Sequence, residues 1–196
     1  MKNTYILKEE MRMKTLVLFG AARENGQTKA LLNAFLEGLE GEVEIIDAYR
    51  MKDVAPCKDC RFCWYKKGCS IKDGMQEIYK KYEEADNIVV ATPMYFHSVT
   101  GELKVLIDRF QLYWAGHVRK DKPESFIKKG AILMVGGAPS FENQFLGGEI
   151  VLTNFLKDLS TECEGIITFA NTDVDKVEES QEIRKQAFEL AQKLNR

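Results

Sequence analysis

The chain has 196 residues, 45% of them apolar, and a net charge of −2; that is room for one domain with a full core and little more. Charges of both signs are mixed along it, without the basic stripe of a nucleic-acid binder or the polybasic cluster of a membrane-surface protein. Its apolar runs, such as residues 88–91, are of strand length and too short to span a membrane.

Residues 1–13 carry charge and three methionines ahead of the first strong apolar run. They read as an optional arm, with Met13 a candidate start, and lack the apolar block of a signal peptide. A cytoplasmic protein with a single domain over residues 14–196 is therefore expected. The first strand is expected at 15–19. The loop FGAARENGQT, residues 19–28, then enters a helix whose apolar face is Leu31, Ala34, Phe35 and Leu39. A helix start offers free N–H groups and a positive dipole end, which suits a phosphate. Arg23 adds charge, Gly26 permits close approach and Thr28 supplies a hydroxyl, although a plain strand-to-helix turn would read much the same. The loop is neither a Walker loop nor GxGxxG. The second strand, 42–46, runs into Asp47, where a dinucleotide fold would hold a ribose.

The next loop is long for a compact domain, which suggests a job or something holding it. Within it, PCKDCRFCWYKKGCSIKDGM (residues 56–75) places four of the five cysteines in thirteen positions. In a cytoplasmic chain such a group suits metal or redox chemistry better than disulfides. The compact spacing C-x2-C-x2-C-x5-C can wrap a cubane cluster, one thiolate per iron, whereas a zinc ribbon separates its pairs further. Small packed thiols or redox-active thiols are the other readings.

Met75, Ile78, Tyr79 and Tyr82 mark a second helix, and 87–91 a third strand. In ATPMYFHSVTGELKVLIDRF (91–110) Pro93 stops that strand and an aromatic pair stands at its mouth. Tyr95 and Phe96 could flank a planar apolar ring system while nearby N–H groups meet its polar edge; capping the core is the plainer role. His97, a lone loop histidine, is usually solvated or structural. Leu103, Leu106, Ile107, Phe110 and Trp114 form the face of a third helix, on which Asp108 and Arg109 read as an ion pair or a subunit contact. Strand four, 131–135, opens into VGGAPSFENQ (135–144). Val151, Phe155 and Leu159 mark a fourth helix, with Cys163 a core residue at its end. Strand five is expected at 165–169, and Ile183, Ala187, Leu190 and Leu194 mark the last helix. Five strand–helix alternations build an open parallel sheet of the dinucleotide-binding or flavodoxin type. Ligands then sit beyond the carboxyl ends of the strands, among loops 20–28, 47–74, 92–100, 136–148 and 170–175.

The first and third loops together resemble the NADPH-dependent FMN reductase and iron–sulfur flavoprotein family. In that family the first loop reads SGSPRxxGNT and binds the FMN phosphate. Arg23, Gly26 and Thr28 match, Ala21 and Ala22 replace Ser and Pro, and Gln27 replaces Asn. The stretch ADNIVVATPMYFHSVTGELKVLIDRF is the more specific match, and VGGAPSFENQ is similar to the glycine-rich turn on the other side of the flavin. The resemblance implies an α/β, flavodoxin-like three-layer sandwich: a five-stranded parallel sheet in order 2-1-3-4-5 with helices on both faces. It implies FMN with Ala21, Arg23, Gln27 and Thr28 at the phosphate. Thr92, Pro93, Met94, Tyr95, Phe96 and His97 would line the ring, and Gly136 and Gly137 would allow close backbone approach. The chemistry would be the flavin's, with no side chain acting as acid or base.

The family's iron–sulfur members hold a 4Fe–4S cluster on a compact motif of this sort, which would make Cys57, Cys60, Cys63 and Cys69 ligands; structural or redox-active thiols are the preferred reading here. A homodimer or homotetramer is implied, with some of Phe110, Tyr113 and Trp114 meeting a partner unless they pack in the core. The leading expectation is an FMN-dependent NAD(P)H oxidoreductase that passes electrons from nicotinamide through flavin to a small acceptor such as a quinone, a flavin or a nitroaromatic. The second is a flavin-plus-cluster electron carrier reduced by a ferredoxin-like partner. The third is a binding module that has lost the flavin.

Overall fold

A computed structural model describes residues 12–121 and 128–195. Most of the expected N-terminal arm lies outside the described residues. Five strands form one all-parallel sheet: β1 (Lys14–Phe19), β2 (Glu42–Asp47), β3 (Asn87–Pro93), β4 (Lys128–Val135) and β5 (Thr161–Phe169). Their order is 2-1-3-4-5, as the resemblance implied. The helices are α1 (Gln27–Leu36), α2 (Phe62–Tyr65), α3 (Met75–Glu84), α4 (Gly101–Arg109), α5 (Gln111–Arg119), α6 (Leu146–Asp158) and α7 (Gln181–Leu194). Among the described residues no helix is long and apolar enough to cross a membrane.

The alternation of side chains along the strands divides the core in two. Leu16, Leu18, Ile88, Val90, Ile132 and Met134 face α3, α4 and α6. Val17, Val89, Ala91, Ala131 and Leu133 face α1 and α7, with Phe35 and Leu190 against them. The central strands β1, β3 and β4 are buried on both faces, which is why their sequences are continuous apolar runs. At the edge, Val43 and Ile45 of β2 remain exposed on the α1 side.

Three expectations need correction. The third helix is two helices, α4 and α5, and Trp114 belongs to the second. The break falls at Phe110, whose ring is swallowed among Tyr79, Tyr82, Tyr113 and Phe155. Its backbone leaves helical geometry (φ −75°, ψ 0°) to put it there. Phe110 therefore packs in the core, and Trp114 meets Trp64 of its own chain edge-on at 5.3 Å. Second, Cys163 lies in β5, half-buried, because α6 stops at Asp158 and Ser160 (φ +51°) turns the chain straight into the strand. Third, Asp108 and Arg109 do not pair: Asp108 bonds Lys104 one turn back at 2.6 Å, and Arg109 points the other way, to Asp73.

From β1 the chain crosses to β2 on one side and then to β3 on the other. The loops after β1 and β3 therefore diverge at the switch in strand order, where such sheets place their ligands.

Candidate cofactor site

Gly20, just past β1, donates its N–H to the Ala91 carbonyl at 2.8 Å. A Cβ there would lie 2.7 Å from Leu103 Cδ2 and 3.1 Å from Thr92 Oγ1, so only glycine fits. Thr100 caps α4 and donates its hydroxyl to the Gly20 carbonyl at 2.9 Å, which ties the loops after β1 and β3 together. Gly26 is the N-cap of α1, and no side chain caps that helix. Its first-turn amides and positive dipole end face the rim without a protein acceptor from a capping side chain. Arg23 packs its Cβ across Gly26, within 3.2 Å of where a Cβ would stand, and is exposed. Ala21 and Thr28 are buried beneath the loop. Gln27 turns its side chain elsewhere: its carbonyl accepts Val177 N–H at 2.6 Å and its amide donates to Glu178 at 3.3 Å. Only its backbone amide remains at the helix mouth. Asp47 accepts Tyr49 N–H and pairs with Arg50.

Past β3, Met94 N–H donates to the Val135 carbonyl at 2.8 Å. Tyr95 and Ser98 then exchange backbone hydrogen bonds of 2.9 and 3.1 Å around Phe96 (φ +47°) and His97 (φ +61°). Two successive left-handed residues make a tight turn normally given to Asn and Gly. Each side chain held there costs on the order of 1 kcal/mol or more, and such strain clusters at ligand sites. The turn thrusts Phe96 wholly into solvent and leaves Tyr95 half exposed. His97 meets the Phe141 ring edge-on at 6.0 Å. A Cβ on Gly147 would sit 1.9 Å from the His97 carbonyl, so that glycine lets the turn rest on the start of α6.

The glycines after β4 stand close to the ends of two side chains. A Cβ on Gly136 would meet Gln144 Nε2 at 2.7 Å, and one on Gly137 would meet both Asp173 carboxylate oxygens at 2.9 Å. Thr172 and Asn171, after β5, brace the turn through hydrogen bonds to Gly136 and Ala138. Gln144 is buried, donates to the Ala138 carbonyl and leaves its Oε1 without a partner. Tyr49 also reaches this rim beside Glu102 and Tyr95; burial first, then the Glu102 carboxylate, push its phenol up to about 12. Tyr49, Gln144 and Asp173 went unread in the sequence, because each lies on a different loop and only the topology brings them to the rim.

The four clustered cysteines line a second pocket, together with Arg109 and Leu112. Cys57 and Cys60 are exposed, Cys63 and Cys69 half-buried, and all are free thiols. Burial pushes the Cys63 thiol up, whereas a hydrogen bond with the Ser70 hydroxyl draws Cys60 down. Arg109 organises the loop from behind. Its two terminal nitrogens bind both oxygens of Asp73 at 2.6 and 2.9 Å, and one also donates to the Ala55 carbonyl at 2.6 Å. The other approaches Cys69 Sγ at 3.7 Å, and its Nε–H is buried without a partner. Arg119 donates to the Cys63 carbonyl from α5. Among the described residues no three His, Cys, Asp or Glu side chains converge closely enough to hold a metal ion. The four thiols line the same pocket, the donor type that an iron–sulfur cluster takes, without converging on one point.

A parallel sheet ordered 2-1-3-4-5, with an uncapped helix start and an aromatic turn at its switch point, defines a flavodoxin-like α/β protein. Residues 13–142 match the NADPH-dependent FMN reductase family, and the chain belongs to it. It is 35% identical over 125 residues to an iron–sulfur flavoprotein of Methanocaldococcus jannaschii, covering 61% of this chain and 63% of that one. It is 35% identical over 131 residues to an iron–sulfur flavoprotein of Methanosarcina thermophila, covering 64% of each. These matches span just under two thirds of the relatives' length. Among solved structures, the NAD(P)H:quinone oxidoreductase from Methanothermobacter marburgensis superposes with a TM-score of 0.66 at 18% identity, over 94% of this chain and 95% of that one. An FMN-dependent NADH-azoreductase from Bacillus anthracis, in complex with FMN, superposes with a TM-score of 0.63 at 16% identity, over 94% and 100%. Both share the fold.

Proposed function

We propose that this protein is an FMN-dependent NAD(P)H oxidoreductase that passes electrons from nicotinamide through the flavin to a small acceptor, such as a quinone, a flavin or a nitroaromatic. One observation carries the reading: the uncapped start of α1 lies at the same rim as a strained, exposed aromatic turn. The first suits a phosphate and the second a flat ring. Bound FMN would supply hydride acceptance and electron release. The chain's part is to hold and screen it. Amides of Gly26, Gln27 and Thr28, with the Arg23 guanidinium, would hold the phosphate. Thr92, Pro93, Met94, Tyr95, Phe96 and His97 would flank the ring and exclude water, and the 136–137 turn would approach its polar edge. Five free cysteines favour a reducing, cytoplasmic setting. Exposed Phe96, Phe141, Leu146 and Ile150 near the rim favour a homodimer or homotetramer.

The test is FMN titration of the purified apo chain, followed by anaerobic addition of NADPH. Saturable binding and bleaching of the flavin bands are expected; a chain that takes up no FMN sinks the reading. A second reading, a flavin-plus-cluster electron carrier, is favoured by the four cysteines lining one pocket and by the relatives' name, iron–sulfur flavoprotein. Cys57, Cys60, Cys63 and Cys69 would then hold a 4Fe–4S group able to take and give single electrons. Stoichiometric iron and a broad visible shoulder beyond the flavin bands distinguish it.

A further inference from the structure

The segment between β5 and α7, residues 170–180, is tied to both sides of the proposed flavin rim. At its start it grips the turn after β4. Asn171 N–H donates to the Ala138 carbonyl at 2.7 Å, and the N–H and hydroxyl of Thr172 donate to the Gly136 carbonyl at 3.0 and 3.2 Å. Further on it meets α1. The Gln27 side-chain carbonyl accepts Val177 N–H at 2.6 Å, and the Gln27 amide donates to Glu178 at 3.3 Å. Val177 is 1% exposed, in the core with Leu31, Phe35 and Leu190.

Between these anchors the segment is cross-braced. The N–H groups of Val174 and Asp175 donate to the Asn171 carbonyl at 3.0 and 2.8 Å. The Asn171 amide donates to Asp175 at 2.8 Å, and Lys176 Nζ donates to the Thr172 carbonyl at 3.3 Å. A displacement at one anchor is therefore passed to the other rather than absorbed on the way. Gln27 is the first residue of α1, so its two ends act in different places. Its backbone N–H belongs to the helix start proposed for the phosphate, while its side chain leaves that start for the loop after β5. A buried N–H that loses its acceptor is costly, so removing the Gln27 carbonyl should loosen Val177.

We propose that Gln27 is a positioning residue: its side chain is not a phosphate ligand but fixes the 170–180 segment, and through it the Gly136–Gly137 turn against the flavin ring. The proposal rests on the first reading above, FMN binding at the rim. The phosphate end and the ring end of the site are then held at a set separation by one strap.

The test measures FMN and riboflavin binding to the full-length protein, to Gln27→Ala, and to the exchanged pair Gln27→Glu with Glu178→Gln. Hydrogen exchange at the Val177 amide is followed in the same proteins. Riboflavin has no phosphate, so losing a phosphate ligand at residue 27 would leave its affinity unchanged. The positioning role requires instead that Gln27→Ala weaken riboflavin about fivefold, the effect of one hydrogen bond. Val177 exchange should quicken about tenfold or more while the amides of β3 exchange as in wild type, which shows that the variant is folded. The exchanged pair keeps an acceptor for Val177 N–H and an amide–carboxylate contact at residue 178. It should restore riboflavin affinity to within about twofold, whereas Gln27→Glu alone, which sets two carboxylates face to face, should not. Unchanged riboflavin affinity in Gln27→Ala overturns the proposal, as does wild type that takes up FMN but not riboflavin. Wild type that takes up neither sinks the FMN reading itself, so the two failures are told apart.

Discussion

The Arg109–Asp73 pair is the main tie between the cysteine loop and the body of the fold, and its contribution can be worked out. The Arg109 side chain is 1% exposed and that of Asp73 8%, so solvent screens the pair very little. Hydrogen bonding to Arg109, foremost, holds the Asp73 carboxyl at about 2 against its ordinary 3.8. A downward shift of that size is worth about 2.5 kcal/mol at neutral pH. The folded value lies below the unfolded one, so this stability is fully present above the unfolded value and drains away as the pH falls through it toward 2. Asp73→Asn keeps the shape but leaves a buried guanidinium without its countercharge, which costs about 3 kcal/mol or more. Arg109→Met alone strands Asp73 instead. The two changes together should cost clearly less than the sum of the two single changes, since no buried charge is then left alone. Urea unfolding followed by far-UV circular dichroism, at neutral pH and in steps down to acid, measures all three variants. The reasoning fails if Asp73→Asn lies within about 0.5 kcal/mol of the parent at neutral pH. It fails equally if parent and Asp73→Asn lose stability in parallel as the pH drops.

Three further outcomes are expected. Phe96→Gly relieves a left-handed side chain (φ +47°) and should stabilise the fold by up to about 1 kcal/mol while weakening FMN binding; melting and FMN titration read the two effects separately. Arg23→Gln should weaken FMN several-fold yet leave riboflavin binding unchanged, because only FMN carries the phosphate that the exposed guanidinium would meet; equal losses for both ligands would place Arg23 elsewhere. Gly20→Ala puts a methyl group 2.9 Å from Leu103 Cβ and should cost the FMN-free fold about 1–3 kcal/mol, read by denaturation.

The strands were legible because β1, β3 and β4 are covered on both faces, and double burial leaves no polar alternation to confuse the reading. The loops at the carboxyl ends of the strands followed from the strand–helix alternation, whereas the strand order that fixes the switch point came with the family resemblance. The break at Phe110 was not legible: an apolar residue in helical phase looks the same whether the helix continues or folds its ring into the core. The turn at Phe96 and His97 was missed for a related reason. Its conformation usually announces itself through Asn or Gly, and here neither is present. The Arg109–Asp73 pair joins residues 36 apart in the chain, while the nearer Asp108 offered a plausible but wrong partner.

Helix α4 ties the two candidate sites together. Its N-cap, Thr100, bonds the Gly20 carbonyl at the proposed flavin rim, and its last residue, Arg109, grips Ala55, Asp73 and Cys69 behind the thiol pocket. Nine residues of α-helix span about 13 Å, so one rigid element sets the separation of the two sites. Between those ends Leu103 and Leu106 are fully buried, and the Tyr79 hydroxyl donates to the Arg109 carbonyl at 2.8 Å. The helix therefore cannot slide without breaking packing on the α3 side of the sheet. Loosening Arg109 should disturb the thiol pocket and leave FMN binding intact, whereas Gly20→Ala should do the reverse. If Arg109→Met instead abolished FMN uptake in folded protein, the flavin rim would have to lie nearer the C-terminal end of α4 than the strand topology allows.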